Sequence, residues 1–385
     1  MTNTTYKQTA IGLIPSDWEV KKFNKVAKFY SGGTPLTSKK EYYNGIIPFI
    51  KSGEIYFDRT EQFISEEGLS NSSAKMVKTG DLLYALYGAN SGEIAICKIS
   101  GAINQAILCI QTEIDKIFIY NFLLNEKQTI ISKYLQGGQG NLSAEIIKNL
   151  QIPLPPLPEQ QKIVAILSTW DVAIDNCKAI IEKLKVRNKG LAQQLLTGKM
   201  RVKGFENSKW ETLKLGEVFK LSSGNTKPKE FGNQDKLFLY PVYGGNGIIH
   251  YAKEYLEEGE KIIIGRVGEY CGNTQKVSGK YWITDNALYS VKFLIKVNID
   301  FLTFKLKYED LSKLRSIGGQ PQVSQQPIYA YKITVPTFEE QKAIANILDK
   351  ATQELNQYEQ KLQNLQLQKK GLMQQLLTGK VRVRI

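Results

Sequence analysis

A chain of 385 residues is long enough for two domains of ordinary size, and a hydrophobic content of 42% marks it as globular. Its four cysteines, Cys97, Cys109, Cys177 and Cys271, are too far apart for a metal-type or redox pair, and a single histidine excludes histidine triads and multi-histidine metal sites. With no secretory or membrane-length apolar run, the natural reading is a reduced, cytoplasmic protein, and a formal net charge of +14 points to a polyanionic partner, most commonly nucleic acid.

The first segment, 1–151, enters through Ile14-Pro15-Ser16-Asp17-Trp18-Glu19. Short β-branched or aromatic runs broken by glycine, such as 81–87 and 93–99, predict strands and turns, and a 3.6-period stretch over 116–135 predicts a helix carrying Phe122, Leu123, Ile130 and Tyr134. A glycine turn at 137–141 and the lead Ile152-Pro153-Leu154-Pro155-Pro156 close the unit, because proline cannot continue a helix backward. The second segment, 152–203, predicts a long helix whose apolar residues Ile163, Leu167, Trp170, Ile174, Cys177, Ile181, Leu184, Leu191 and Leu195 follow alternating four- and three-residue steps, a heptad seam. The third segment, 204–332, starts again at Phe205 and Trp210, with a buried strand over 261–266, a helix over 300–314 and a glycine turn at 318–322. The fourth, 333–385, is a second long helix with its seam at Ile344, Leu348, Ala351, Leu355, Tyr358, Leu362, Leu365, Leu372 and Leu376. Asn188 and Lys369 are the polar interruptions of the two seams.

The fourth segment is the second one repeated at a constant offset of 181 residues without a gap: Gly190 to Val202 matches Gly371 to Val383 except at Ala192/Met373 and Met200/Val381. The globular parts repeat too, since an offset of 192 pairs Trp18 with Trp210, Val26 with Val218 and Ser31-Gly32 with Ser223-Gly224, and Asn104-Gln105-Ala106 stands where Asp285-Asn286-Ala287 stands. Each helix leaves its own unit and the first runs straight into the second unit. If the seams pair, they do so antiparallel. The predicted fold is therefore α+β: two similar mixed α/β units separated by two long helices that form an antiparallel coiled coil, pseudo-twofold overall.

No stretch of the sequence carries catalytic chemistry. Gly198-Lys199 and Gly379-Lys380 lack both the upstream glycine and the following Ser or Thr of a P-loop, Glu19-Val20-Lys21 imitates only the tail of a nuclease metal motif, and the proline pair Pro155-Pro156 is followed by Leu157 where an adenine methyltransferase needs an aromatic. What remains is a reading surface. Lys51, Tyr84, Tyr87, Asn90, Gln136, Gln139 and Asn141 in the first unit cluster beside glycines, as do Tyr243, Asn246, Arg266, Tyr270, Asn273, Lys276, Gln320 and Gln322 in the second. Asn and Gln form paired hydrogen bonds to adenine, Arg to guanine, and lysines hold phosphates.

The run Leu154 to Val164, with Pro155-Pro156-Leu157-Pro158-Glu159-Gln160-Gln161 at its centre, followed by a heptad helix and Gln194-Leu195-Leu196-Thr197-Gly198-Lys199, resembles the repeated region of the specificity subunit of type I restriction-modification systems. Pro336 to Ile344 and Gln375 to Lys380 look like its second copy, departing from it at Thr337-Phe338-Glu339. The resemblance implies two target recognition domains, each reading one half of a bipartite, asymmetric double-stranded DNA site, and no catalytic, cofactor or metal residue in this chain. It implies two docked methyltransferase subunits and, in the full complex, nuclease/translocase subunits, with S-adenosylmethionine, ATP and magnesium on those partners. A stand-alone DNA-binding regulator or architectural protein built as a pseudodimer is the rival reading.

Overall fold

The computed structural model describes residues 5–134, 141–316 and 318–383. Two compact units make up the chain: residues 1–177 together with 361–385, and residues 178–360.

In the first unit, an antiparallel sheet orders the strands Ala27–Ser31, Ile107–Thr112, Leu82–Ala85 and Ile94–Ile96. Its third strand reads Leu-Leu-Tyr-Ala and is buried throughout, because both faces are covered. Leu82 and Tyr84 face the helix Lys116–Tyr134 and its Phe118 and Ile119, while Leu83 and Ala85 face Ile103, Ile107 and Cys109. A second sheet runs Phe63–Ile64, Ile47–Ile50, Gly101–Ile103, Lys75–Val77, and within it Ile47–Ile50 and Gly101–Ile103 pair in parallel. The entry strand Glu19–Lys22 pairs with Gln151–Leu154, just before the first long helix.

The second unit repeats the first sheet strand for strand: Phe219–Ser223, Ala287–Phe293, Lys261–Gly265, Thr274–Val277. Ile262 and Ile264 face one core and Ile263 the other. The other sheet differs, with five strands in the order Phe231–Gly232, Gly247–Ala252, Tyr240–Gly244, Lys280–Ile283, Glu257–Glu258. The expected helix over 300–314 is two elements. Ile299–Glu309 ends at Asp310, whose left-handed φ of 53° breaks the helix, and a short 3-10 turn Leu311–Leu314 follows.

The two long helices, Leu157–Leu196 and Phe338–Leu376, contain 40 and 39 residues and start at equivalent places of the repeat, despite Thr337-Phe338-Glu339 in the second copy. In the first unit Ile163 and Leu167 pack with Met373, Leu376 and Leu377, and Asp171 Oδ1 receives Lys369 Nζ at 2.5 Å. In the second, Leu195 and Leu196 pack with Ile344, Ala345 and Leu348, and Asn188 Nδ2 donates to the carbonyl of Ala351 at 2.8 Å. Positions rise along one helix as they fall along the other, so the pairing is antiparallel in each unit. Ile174, Cys177, Ile181 and Leu184 are buried as the heptad demands. Trp170, Leu191, Leu355, Tyr358, Leu362, Leu365 and Leu372 are half-buried.

One motif of the repeat closes each unit. Glu159, fully buried, accepts from Trp18 Nε1 at 2.9 Å and from Arg382, whose Nε and Nη2 reach its two oxygens at 2.7 and 2.8 Å. Arg382 also grips Asp17 at 2.9 and 2.7 Å, and its guanidinium holds that carboxyl below the usual carboxylate range. Glu340, equally buried, takes Arg201 Nε and Nη2 at 2.9 and 2.8 Å, with Ser208 in the place of the tryptophan. The Thr-Gly-Lys step before each arginine is a helix stop. Gly198 and Gly379 both sit at φ +71°, and Met200 and Val381 donate their amides back to Gln194 and Gln375. That geometry explains why the step resembles a phosphate loop in composition only.

Candidate nucleic-acid interface

In the second unit, four backbone segments meet where the buried strand Lys261–Gly265 ends. The Arg266 amide donates to the Asn286 carbonyl at 2.9 Å, the Val323 amide to the Arg266 carbonyl at 2.8 Å, and Gly268 to Pro321 at 2.8 Å. An antiparallel bridge joins Val267 to Gln322. Gly265 must be glycine, because a Cβ there would lie 2.4 Å from the Tyr270 carbonyl oxygen and 2.6 Å from that of Gly245. The crossing brings Asn246, Arg266, Tyr270, Asn273 and Gln322 into one neighbourhood, with Gln320 beside it in the turn that carries Pro321. Tyr270 is 53% exposed, and Asn246, Asn273, Gln320 and Gln322 are exposed. Asn273 Nδ2 donates to Asn246 Oδ1 at 2.8 Å. Tyr243 lies half-buried against Tyr281, and burial raises its hydroxyl pKa.

The first unit is built on the same joint. Leu86 donates its amide to the Ala106 carbonyl at 2.7 Å and accepts from Leu142 at 3.1 Å, the counterparts of the two Arg266 bonds. A Cβ on Gly32 would fall 1.7 Å from the Ile103 carbonyl oxygen, and one on Gly224 2.2 Å from that of Thr284, so the paired Ser-Gly steps exist because the chain passes there against another backbone. Around this joint stand Tyr87 and Asn90, both half-buried, the exposed Asn141, and a turn at Gly53 whose Cβ position lies 3.3 Å from Asn90 Nδ2. A cleft of about 530 Å³ opens beside it, lined among others by Thr34, Lys40, Asn44, Lys51, Gln62 and Asn104.

Two candidate readers are corrected by this geometry. Tyr84 is fully buried in the core, where loss of water raises its hydroxyl pKa, so its ring cannot meet a base. It stands on the helix-facing side of its strand, a consequence of the strand's period of two. Lys276 is held by Asp300 at 2.5 Å and Glu260 at 3.1 Å, which leaves it a structural ion pair rather than a phosphate holder. Gln136 and Gln139 lie outside the described residues. The sequence reading passed over Thr34, Lys40, Asn44, Gln62 and Asn104 in the first unit and Ser223, Asp285 and Asn286 in the second. Of these, Asn104, Asp285 and Asn286 were marked by the internal match Asn104-Gln105-Ala106 with Asp285-Asn286-Ala287, which the strand pairing shifts by one residue so that Ala106 is the counterpart of Asn286, and Lys40, Asn44 and Gln62 carried no local signal. The single histidine, His250, stacks on Phe231 with ring centroids 4.5 Å apart. Among the described residues no helix is long and apolar enough to cross a membrane, and no group of three or more His, Cys, Asp or Glu is placed to hold a metal ion.

The family model for the type I restriction modification DNA specificity domain matches twice, over residues 15–186 and 207–367. The chain belongs to that family. Its two specificity domains start at the paired entries to Trp18 and Trp210 and run into the paired helices. Within the family, the chain is 28% identical over 91% of its length to the specificity subunit of the type I restriction enzyme EcoprrI from Escherichia coli, covering 91% of that protein. It is 27% identical to the MjaVIII specificity subunit from Methanocaldococcus jannaschii, with coverage of 96% and 94%. The fold is that of the crystallised S subunit of a type I restriction-modification system from M. genitalium, with a TM-score of 0.62 and 18% identity over 98% of this chain and 97% of the other.

Proposed function

We propose that this chain is the sequence-reading, noncatalytic subunit of a type I restriction-modification complex, each of its two specificity domains recognising one half of a bipartite asymmetric site in double-stranded DNA. The observation that carries the reading is the joint repeated in both units: one backbone crossing, held by equivalent hydrogen bonds, presents a different set of polar side chains in each. A rigid scaffold carrying variable loops is what two independent readers of different half-sites require. The rival reading, a stand-alone regulator, leaves the family membership without a purpose.

Partner subunits fit the helices. Between 189–199 and 370–380 the exposed residues Lys189/Lys370, Gln193/Gln374, Gln194/Gln375 and Lys199/Lys380 are identical in the two copies, whereas the pairs Lys178/Glu359, Glu182/Gln363, Lys183/Asn364 and Lys185/Gln366 just before them all differ. Side chains in water are free to drift apart, so identity confined to one exposed stretch of each copy favours one kind of partner bound twice. That partner is a methyltransferase subunit, which brings S-adenosylmethionine. The nuclease/translocase subunits of the full complex bring ATP and magnesium, and the whole assembly works in the cytoplasm.

Two experiments test this. DNA binding by the assembled complex should weaken steeply with salt, each neutralised phosphate contributing a log-log slope of about −0.9. A slope near zero between low and physiological salt removes the DNA role. Exchanging residues 30–135 for those of a relative of different specificity should alter one half of the methylated sequence and leave the other intact, as read by methylation mapping on genomic DNA. Simultaneous change of both halves would show that the units do not read independently.

A further inference from the structure

The geometry points to Arg266 as the residue through which the second specificity domain recognises a guanine, by its O6 and N7 in the major groove; the inference rests on the DNA-reading function proposed above.

Position is the first ground. Both backbone polar groups of Arg266 are used, its amide by Asn286 at 2.9 Å and its carbonyl by Val323 at 2.8 Å, and the preceding Gly265 is crowded on two sides by backbone. The side chain therefore leaves from a fixed point, which is what placing a planar fork on a base edge requires. Partnership is the second. Arg187, Arg201 and Arg382 each lie against a carboxylate at 2.7 to 2.8 Å. No carboxylate pairs with Arg266 among the described residues. Its Nη1 has only two long contacts, to Ser223 Oγ at 3.3 Å and to the Asp285 carbonyl at 3.5 Å. Both contacts orient Nη1 and leave Nη2 and Nε without a partner among the described residues. A bidentate guanine contact needs two donors from such a fork, and it is the commonest specific arginine contact in the major groove.

Surroundings are the third ground. Asn246 and Asn273 are tied together by one hydrogen bond, exposed, and joined to the same crossing through the Asn273 carbonyl, which accepts the Gly265 amide at 2.8 Å. The group thus has the polar, water-facing character of a reading surface. Comparison of the two units gives the fourth. The equivalent position in the first unit is Leu86, 1% exposed, with the same two backbone bonds. Folding of the joint is satisfied by an apolar side chain there, so the guanidinium of the second unit is not needed to build it.

The test uses the full chain assembled with its methyltransferase partner. Methylation of a library of site variants should show a required G·C pair in the half-site altered by changes to the second domain. Arg266→Ala should reduce discrimination at that one base pair by roughly 5- to 150-fold and leave every other position unchanged. Arg266→Lys should not restore it, since a point charge lacks the fork. Replacing that guanine by 7-deazaguanine, which lacks N7, should weaken binding by the unaltered protein and have no effect on Arg266→Ala; this readout also stands if the variant is too weak to methylate. A half-site without a G·C pair, unchanged discrimination in Arg266→Ala, or full rescue by lysine with uniform loss at all sequences would overturn the assignment, the last by making Arg266 a phosphate contact. Methylation that does not depend on this chain at all would instead overturn the DNA-reading function.

Discussion

Replacing Arg382 by alanine is expected to destabilise the first unit by about 3–5 kcal/mol, because it leaves the fully buried carboxylate of Glu159 with only the Trp18 indole as a partner among the described residues. Arg201→Ala should do the same to the second unit, where Glu340 would keep only the Ser208 hydroxyl. Denaturant unfolding of the two variants measures both. Substituting both partners, Arg382→Met with Glu159→Leu, should recover most of the loss, since a buried ion pair replaced by apolar groups of similar volume costs little. The residual cost is that of the half-exposed Asp17 losing its cation and of Trp18 Nε1 losing its acceptor, the latter a condition the described structure already tolerates at Trp210 Nε1. A loss under about 1 kcal/mol in Arg382→Ala would mean that Glu159 finds water and that the motif does not lock the unit.

The second large effect is expected from the seam. Leu167 and Leu348 are equivalent residues of the repeat, 0% and 3% exposed, and each sits among the apolar side chains where one long helix meets the other. A carboxylate there is placed among apolar side chains, and burying it costs several kcal/mol. Leu167→Asp and Leu348→Asp should each separate the helices in its own unit, lower the thermal midpoint and abolish methylation by the assembled complex. Full methylation in either variant would show that helix pairing in that unit is dispensable. The half-buried Leu365 should tolerate the same change better than Leu348.

Much of this architecture could be read from the residues because it is written as period and repetition. Heptad spacing from Ile163 to Leu195 gave the seam, and connectivity gave its antiparallel sense, which Asp171–Lys369 and Asn188–Ala351 realise separately in the two units. The clamp was not foreseen. Glu159 and Arg382 are far apart in sequence and each looks like an ordinary surface charge; only folding shows that one is wholly buried. The reading surface was legible in part. Glycines beside Asn, Gln and Arg marked the loops around Arg266 and Asn246, yet Tyr84 was misplaced because a four-residue apolar strand with both faces covered has no exposed side. Lys276 was misjudged for a different reason: Glu260 and Asp300, which hold it, come from separate turns of the chain.

The seam also decides which halves of such a chain could pair with a copy of themselves. Lys369 is 7% exposed and meets Asp171, whereas Asn188, its counterpart in the first copy, accepts from the neighbouring Arg187 and reaches across the seam to a backbone carbonyl, which any residue at that level supplies. Two first halves brought together would set Asn188 against the carbonyl of Trp170 and leave Asp171 at a half-exposed site where water can solvate it. Two second halves would set the ammonium of Lys369 against Thr352, a hydroxyl in place of the Asp171 carboxylate. The seam contact of the first half thus survives the exchange, and that of the second loses its ion pair. The duplication has become directional: the ion pair Asp171–Lys369 takes one residue from each copy of the repeat and has no equivalent between two identical copies.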